Sequence, residues 1–241
     1  MNSVKIKDRK HLAFPETGMP VDNPMSSPER VLDAITRGVL TGRYVPGQKL
    51  IEADLTQALG VSRGPVREAL KRLDAEGVVT LTPHRGAYIR LLTRREVLDL
   101  EIVLESLTAL IARLAAEAVA SDMSGKRKRL MREWLDFFAT ARASTPELFE
   151  RRRQFYDLLI EVGNNTQLQS VMPTKRVHLI RLQTQQYFGP DDMEKRLAEY
   201  VAIAKAVIAG NPQAAERAMR RHMKRNIETT MAMPPEAFAP D

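Results

Sequence analysis

The chain contains no cysteine in its 241 residues. That excludes disulfides, thiolate zinc sites and a cysteine nucleophile, and it fits a reducing cytoplasm. No apolar run approaches the roughly 20 residues that a bilayer-spanning helix requires, so no membrane partner is expected. The charged N-terminus lacks the apolar stretch of a secretory signal, which makes the cytoplasm the expected location. There is no glycine-rich phosphate loop, no pair of histidines at metal-ligand spacing and no Ser–His arrangement, so the chain is not expected to be an enzyme. No repeat of fixed period suggests a solenoid.

What is present is a hydrophobic content of 44% and a net charge of +7. The first suits a globular protein with real cores, in one large domain or two ordinary ones. The second permits an anionic partner such as nucleic acid without selecting one.

Residues 1–25 mix charge, proline and glycine with little periodicity, which reads as a flexible arm. Ser26-Ser27-Pro28-Glu29 then has the pattern of a helix start, and Val31, Ile35 and Val39 recur at helical spacing up to about Gly42. Tyr44–Leu50 reads as a turn. A short helix follows with Leu55 and Leu59 inward, closed by Gly60. Ser62 is placed to cap the next helix, which carries Val66, Leu70 and Leu73 on one face and ends at Gly77. The period then changes. Val78–Thr82 and Ala87–Leu91 are β-rich and flank the turn Pro83-His84-Arg85-Gly86, a hairpin pattern. Three helices and a hairpin over residues 26–92 make a winged helix-turn-helix.

From residue 93 to 233 the pattern is helical throughout. Helices are expected near 94–120, 122–142, 146–162, 165–187, 191–209 and 212–231, with breaks at residues rich in Gly, Pro, Asn and Ser. A proline-rich tail over 234–241 reads as flexible. The expected fold class is mainly α: a winged helix-turn-helix followed by an all-α bundle.

The informative stretch is Leu59–Leu70. Arg63, Arg67 and Lys71 lie four residues apart and share a face opposite Val66, Leu70 and Leu73. A helix anchored by its leucines and cationic on its outer side can lie in the major groove, where Arg donates two hydrogen bonds to guanine. Its N-terminus can hold a phosphate. A cationic face by itself suits solvent equally well; the preceding helix, the glycine turn and the hairpin favour DNA.

These residues resemble the DNA-binding domain of the GntR family of bacterial regulators. The resemblance is carried by Gly42–Leu50, by the block Val61-Ser-Arg-Gly-Pro-Val-Arg-Glu-Ala-Leu70, and by Arg85-Gly-Ala-Tyr-Ile89. The helical remainder, with Glu161-Val-Gly-Asn-Asn165 and the late His222, resembles the FadR-type subgroup and its helical C-terminal domain of the FCD type. The resemblance implies DNA contacts from Ser62, Arg63, Gly64, Arg67 and Lys71, and from the wing tip His84, Arg85 and Gly86. It implies a homodimer on a short palindromic operator, most often as a repressor. Two positions depart from the family: Ala53 stands where relatives place a polar contact, and Gly64 where they often have Thr.

The resemblance also implies a cavity among the C-terminal helices, which in many relatives holds a divalent metal. The matching positions here are Arg152, Tyr156, Tyr200 and His222, and a guanidinium stays protonated and cannot coordinate a cation. No metal cofactor is therefore expected. Leu104 stands where relatives carry an Arg that meets an acidic ligand. Arg152 shares a helical face with Leu148, Phe155, Tyr156 and Leu159, yet it sits in Arg151-Arg152-Arg153, a run that also suits the surface. If it points inward, it anchors a carboxylate or other anion, with Tyr156, Tyr200 and His222 lining the site. Lys126–Arg129 reads as a solvated face, His178 as a histidine without a partner, and Trp134, Phe137 and Phe138 as core or dimer packing.

Two other classes are less well supported. A metal-dependent sensor of the same family needs ligands that are missing. A non-specific architectural DNA binder does not need so large a helical domain.

Overall fold

A computed structural model of the chain describes residues 25–141 and 146–240. The expected arm, apart from Met25, and the expected break at Ser144-Thr145-Pro146, apart from Pro146, lie outside the described residues.

The first unit comprises three helices and a three-stranded sheet. Helix α1 (Ser27–Leu40) begins where the Glu29 carboxylate accepts hydrogen bonds from the backbone and hydroxyl of Ser26, each at 2.9 Å. It buries Val31, Ile35 and Val39. The stretch expected as a turn contains a strand as well, β1 (Lys49–Leu50). Helix α2 (Glu52–Leu59) stops at Gly60, whose φ of 61° lies in the left-handed region that favours glycine. Helix α3 (Arg63–Ala75) buries Val66, Ala69, Leu70 and Leu73 against α1 and α2. Ser62 precedes it in extended conformation, but its side chain makes no capping hydrogen bond, contrary to expectation. Strands β2 (Val79–Thr82) and β3 (Gly86–Ile89) pair antiparallel, with Val79 opposite Ile89 and Thr82 opposite Gly86. Strand β1 pairs with the other edge of β3, giving the order β1-β3-β2.

The second unit is helical. Helix α4 (Arg94–Ala120) opens with a reciprocal cap: Glu96 N–H donates to the Thr93 hydroxyl at 3.2 Å, and Thr93 N–H donates to the Glu96 carboxylate at 3.0 Å. Then come α5 (Lys126–Thr140), α6 (Pro146–Gly163), α7 (Thr166–Val171), α8 (Thr174–Thr184), α9 (Pro190–Ile208) and α10 (Pro212–Met231). Helix α4 lies centrally and packs on α6, α9 and α10. Phe138, Phe155 and Tyr200 form an aromatic core with ring centroids 5.0–5.8 Å apart, and Trp134 stands 6.0 Å from Phe138.

Two expectations are corrected here. The single helix expected over 165–187 is α7, α8 and a 3-10 turn at Gln185–Tyr187. Pro173 forces the break: Met172 before it has ψ 121°, pushed out of the helical region by the proline ring. The tail expected as flexible packs back onto the bundle over residues 234–240. Ala237 and Phe238 are buried, Ala239 N–H donates to the Leu92 carbonyl at 3.0 Å, and Arg94 lies 4.4 Å from the Phe238 ring centroid. A proline-rich composition limits helix formation but does not prevent apolar docking.

The two units meet along α8. The Gln183 side-chain amide accepts from Leu92 N–H at 3.0 Å and donates to the carbonyls of Leu92 (2.9 Å) and Ala237 (2.8 Å). Lys175 is ion-paired with Glu76 at the end of α3. The other side of α8 faces the interior of the bundle, where the cavity described below lies.

Candidate nucleic-acid interface and ligand cavity

On the first unit, Arg63, Arg67 and Lys71 all project from the exposed face of α3, while Val66, Ala69, Leu70 and Leu73 are buried beneath them. Ser62 and Gly64 are exposed beside them, and a side chain added at Gly64 meets nothing within 4 Å. Arg67 Nε is ion-paired with Glu52 Oε2 of α2 at 3.0 Å, a contact that the four-residue spacing of the basic stripe does not reveal. Ala53 is exposed on the same helix as Glu52. At the wing tip His84 and Arg85 are exposed. His84 has a φ of 62° and Gly86 a φ of 97°, and Arg85 N–H donates to Thr82 O at 3.1 Å to close the turn. The structure thus gives two exposed basic features, the helix stripe and the wing, on one small head.

The second unit encloses a cavity of about 160 Å³ whose walls include Arg152, Tyr156 and His222. Arg152 points inward, which the arginine run left open. Its Nε donates to the Tyr200 hydroxyl at 2.8 Å. Arg151 instead lies over the Phe137 ring at 5.0 Å, and Arg153 pairs with Asp157 at 2.8 Å. Tyr200 is corrected from a wall residue to a supporting one: it is fully buried behind Arg152, in ring contact with Phe138 and His222. Leu104 lines the cavity.

His222 is buried, and its Nδ1 lies 2.6 Å from Glu199 Oε2. Burial pushes the imidazole down to about 4, against the opposing pull of the Glu199 carboxylate. Burial alone would raise Glu199, but hydrogen bonds from Arg225 and His222 outweigh it and hold the carboxyl at about 2. Neutral His222 therefore donates its Nδ1–H to the ionised Glu199 and keeps Nε2 as an acceptor.

A carboxylate-oriented histidine is a good metal ligand, but its neighbours do not fit one. Arg152 is a fixed cation, and burial together with the adjacent Tyr200 raises the Tyr156 phenol well above its ordinary value, so it stays protonated. Among the described residues no three His, Cys, Asp or Glu side chains converge as metal ligands do.

Sequence reasoning missed three cavity residues. Arg196 is fully buried, with its guanidinium carbon 4.0 Å from the Phe188 ring centroid, and none of its three nitrogens has a protein acceptor. Burial, aided by Arg152, lowers its pKa to about 10, which leaves it charged at neutral pH. Glu101 is buried, and its Oε1 accepts from Asn226 Nδ2 at 2.7 Å and Thr230 Oγ1 at 3.4 Å while Oε2 has no protein donor. His178, expected to have no partner, lines the cavity with its Nε2 2.7 Å from Arg181 Nη2. The signal for Arg196 and Glu101 was in the sequence. Each interrupts an apolar helical stripe, Met193–Leu197–Tyr200–Ile203 and Val97–Leu100–Leu104–Thr108, where a charge is rarely placed without purpose.

Comparison with known proteins agrees with this architecture. Residues 28–89 match the family model described as bacterial regulatory proteins, gntR family, and residues 100–225 match the FCD domain. The chain is 30% identical over 211 residues to an HTH-type transcriptional regulator in an unstable DNA locus of Streptomyces ambofaciens, covering 84% of this chain and 86% of that one. It is 24% identical to the HTH-type transcriptional regulator YdhC of Bacillus subtilis, covering 86% of this chain and 92% of the relative. It is 21% identical to the HTH-type transcriptional repressor RspR of Escherichia coli, with 83% and 87% covered. Among solved structures, E. coli McbR/YncC superposes with a TM-score of 0.69 at 19% identity, over 86% of this chain and 98% of that one. A GntR regulator from Rhodococcus sp. RHA1 gives 0.65 at 21% identity, over 87% and 100%.

Proposed function

Because the chain belongs to the GntR family of bacterial regulatory proteins and carries an FCD domain, we propose that it binds one short palindromic operator as a homodimer and represses transcription there until a small organic acid occupies the helical cavity. The observation that carries this reading is the outer face of α3, where Arg63, Arg67 and Lys71 stand exposed over a buried apolar face. Arg63 and Arg67 read base edges, Lys71 meets phosphate, and Ser62 and Gly64 bring the helix N-terminus close to the backbone. His84, Arg85 and Gly86 of the wing enter the adjacent minor groove. Repression is favoured by the relative RspR, which is named as a repressor. Dimerisation is favoured by Ile102 and Val103, adjacent apolar residues left half-exposed on α4, and by the two-fold symmetry of the operator it implies.

In the effector domain, Arg152 and Arg196 supply the positive field for an anion. His222 and Tyr156 add polar contacts, and Tyr200 holds Arg152 in place. No metal is part of this site. Among the described residues no helix is long and apolar enough to cross a membrane. The operator sets the working location, the cytoplasm. Helix α8 walls the cavity and holds the linker through Gln183, so a ligand that moves α8 changes how the DNA-binding heads are set. Nuclease footprinting across the neighbouring promoters tests the reading. One short protected palindrome, lost in the Arg63→Ala/Arg67→Ala double variant, is the expected result. Protection without boundaries, or an unchanged footprint in that variant, overturns it.

A further inference from the structure

We infer that the cavity recognises a small carboxylate carrying one hydrogen-bond donor, with the carboxylate seated on Arg196 and the donor on Glu101. This rests on the reading of the helical domain as an effector sensor.

The argument begins with Arg196. Its guanidinium is fully buried, and an unpaired buried cation costs several kcal/mol. Phe188 covers one face of the group at 4.0 Å, and the nitrogens around its edge have no protein acceptor. A planar fork whose edge nitrogens lack an acceptor matches the two oxygens of a carboxylate in bidentate geometry. Arg152 reinforces the choice of sign. It lies close enough to depress Arg196 by charge repulsion, and its own Nε is committed to Tyr200. This end of the cavity attracts an anion and repels a cation.

Glu101 is the second unmet group, within electrostatic reach of Arg196. Asn226 and Thr230 occupy its Oε1, whereas the buried Oε2 receives no protein donor. Glu101 and Arg196 line the same cavity, yet no hydrogen bond satisfies Glu101 Oε2 or the Arg196 nitrogens. A molecule lying between them completes both only if it offers an oxygen pair to one and a donor to the other. A plain carboxylate leaves Oε2 unmet. A dicarboxylate sets a second anion against Glu101 wherever Glu101 is ionised, above about pH 7. An uncharged alcohol leaves Arg196 unpaired. Leu104, Val177 and Met223 also line the cavity and suit an aliphatic portion of the ligand. A volume of about 160 Å³ holds on the order of ten water-sized groups, so the ligand has about ten non-hydrogen atoms.

The test is calorimetric titration of the full-length protein with hexanoate, its five monohydroxy positional isomers and hexanamide. At least one hydroxyhexanoate is expected to bind about tenfold more tightly than hexanoate, the effect of one charge-assisted hydrogen bond. Hexanamide is expected not to bind. Arg196→Met abolishes binding of every acid, and Glu101→Met brings the hydroxy isomers to within about twofold of hexanoate. The isomer preference is read in the unmodified protein, so it stands even where a variant fails to fold. Hexanoate matching every isomer, hexanamide binding as well as hexanoate, or no acid binding at all overturns the inference. If these outcomes accompany a normal operator footprint, only the ligand class is wrong. Loss of the footprint with the ligand preference intact would sink the regulatory reading and leave the cavity chemistry standing.

Discussion

Gln183 and Leu92 exchange a closed pair of hydrogen bonds, side-chain amide to backbone, across 91 positions of sequence. The same amide also holds the Ala237 carbonyl at 2.8 Å, so one side chain ties helix α8, the linker and the C-terminal tail together. Leu92 and Ala237 are buried, and removing the amide strands the Leu92 N–H and the Ala237 carbonyl away from solvent, while the Leu92 carbonyl keeps Ala239 N–H as its donor. Each such group costs about 1–3 kcal/mol when unmet, with part recovered by relaxation and entering water. Gln183→Ala is therefore expected to lose about 2–4 kcal/mol in urea unfolding. A loss below about 1 kcal/mol would show that the amide is not a clamp.

Much of this was legible in the sequence, and the residues show why. Helix α4 and the hairpin followed from local rules, because capping residues, glycine turns and periodicity act over a few positions. Arg63, Arg67 and Lys71 were readable as one face for the same reason. Gln183 and Glu199 were not. Gln183 matters because of partners 91 and 54 positions away, and no local pattern encodes such a meeting. The tail was misread because proline content reports helix propensity, whereas Phe238 docks through apolar burial and its contact with Arg94. Arg152 shared a face with apolar neighbours, but only the fold shows that this face turns to the cavity.

On the DNA-binding head, the Arg67–Glu52 pair is exposed, and exposed ion pairs contribute about 0–1 kcal/mol to stability. Glu52→Gln should leave unfolding within about 0.5 kcal/mol of the parent. By removing a competing acid beside Arg67 it should keep or tighten operator binding. Arg63→Ala and Arg67→Ala should each cost about 1–3 kcal/mol of operator affinity in gel-shift titrations, because each gives up a bidentate base contact. A tenfold loss of affinity in Glu52→Gln would mean that Glu52 orients Arg67 rather than competing for it.

The wing makes a different kind of prediction. Arg85 is exposed at a turn fixed by His84 and Gly86 in left-handed backbone, so it reaches DNA without rearrangement. Arg85→Ala should weaken operator and random duplexes by similar factors. It should also reduce the slope of log K against log salt by about 1, the signature of one lost phosphate neutralisation. An unchanged slope would place the wing tip away from the duplex.

Metal soaking tests the cavity chemistry directly. With Arg152 and Arg196 beside His222, incoming Zn²⁺ or Ni²⁺ meets two fixed cations, one histidine already engaged with Glu199 and another, His178, in contact with Arg181. Protein purified with chelator and then soaked should show no stoichiometric metal by elemental analysis and no rise in Tm. One tightly held ion per chain, lost in His222→Ala, would contradict that account.

The pH dependence of stability follows from the buried Glu101 and His222 and the half-buried Glu199, which act in opposite directions. Burial raises Glu101 to about 7, an effect that Arg196 and the hydrogen bonds from Thr230 and Asn226 only partly offset. An acid that binds its proton more tightly when folded stabilises fully below its unfolded value of 4.5 and loses that contribution as the pH climbs to about 7. Glu199 at about 2 and His222 at about 4 lie below their unfolded values, so their contribution is present at neutral pH and lost as the pH falls. The two arms overlap in the wild-type curve, and a single variant separates them. Glu101→Gln keeps the shape of the side chain but cannot ionise. It should match the parent near pH 4, where Glu101 is protonated, and exceed it by up to about 3 kcal/mol at pH 8. Urea unfolding of both proteins across that range is the measurement. A difference that stays constant with pH would mean that Glu101 does not titrate in this window, and that the cavity is wetter than its burial implies.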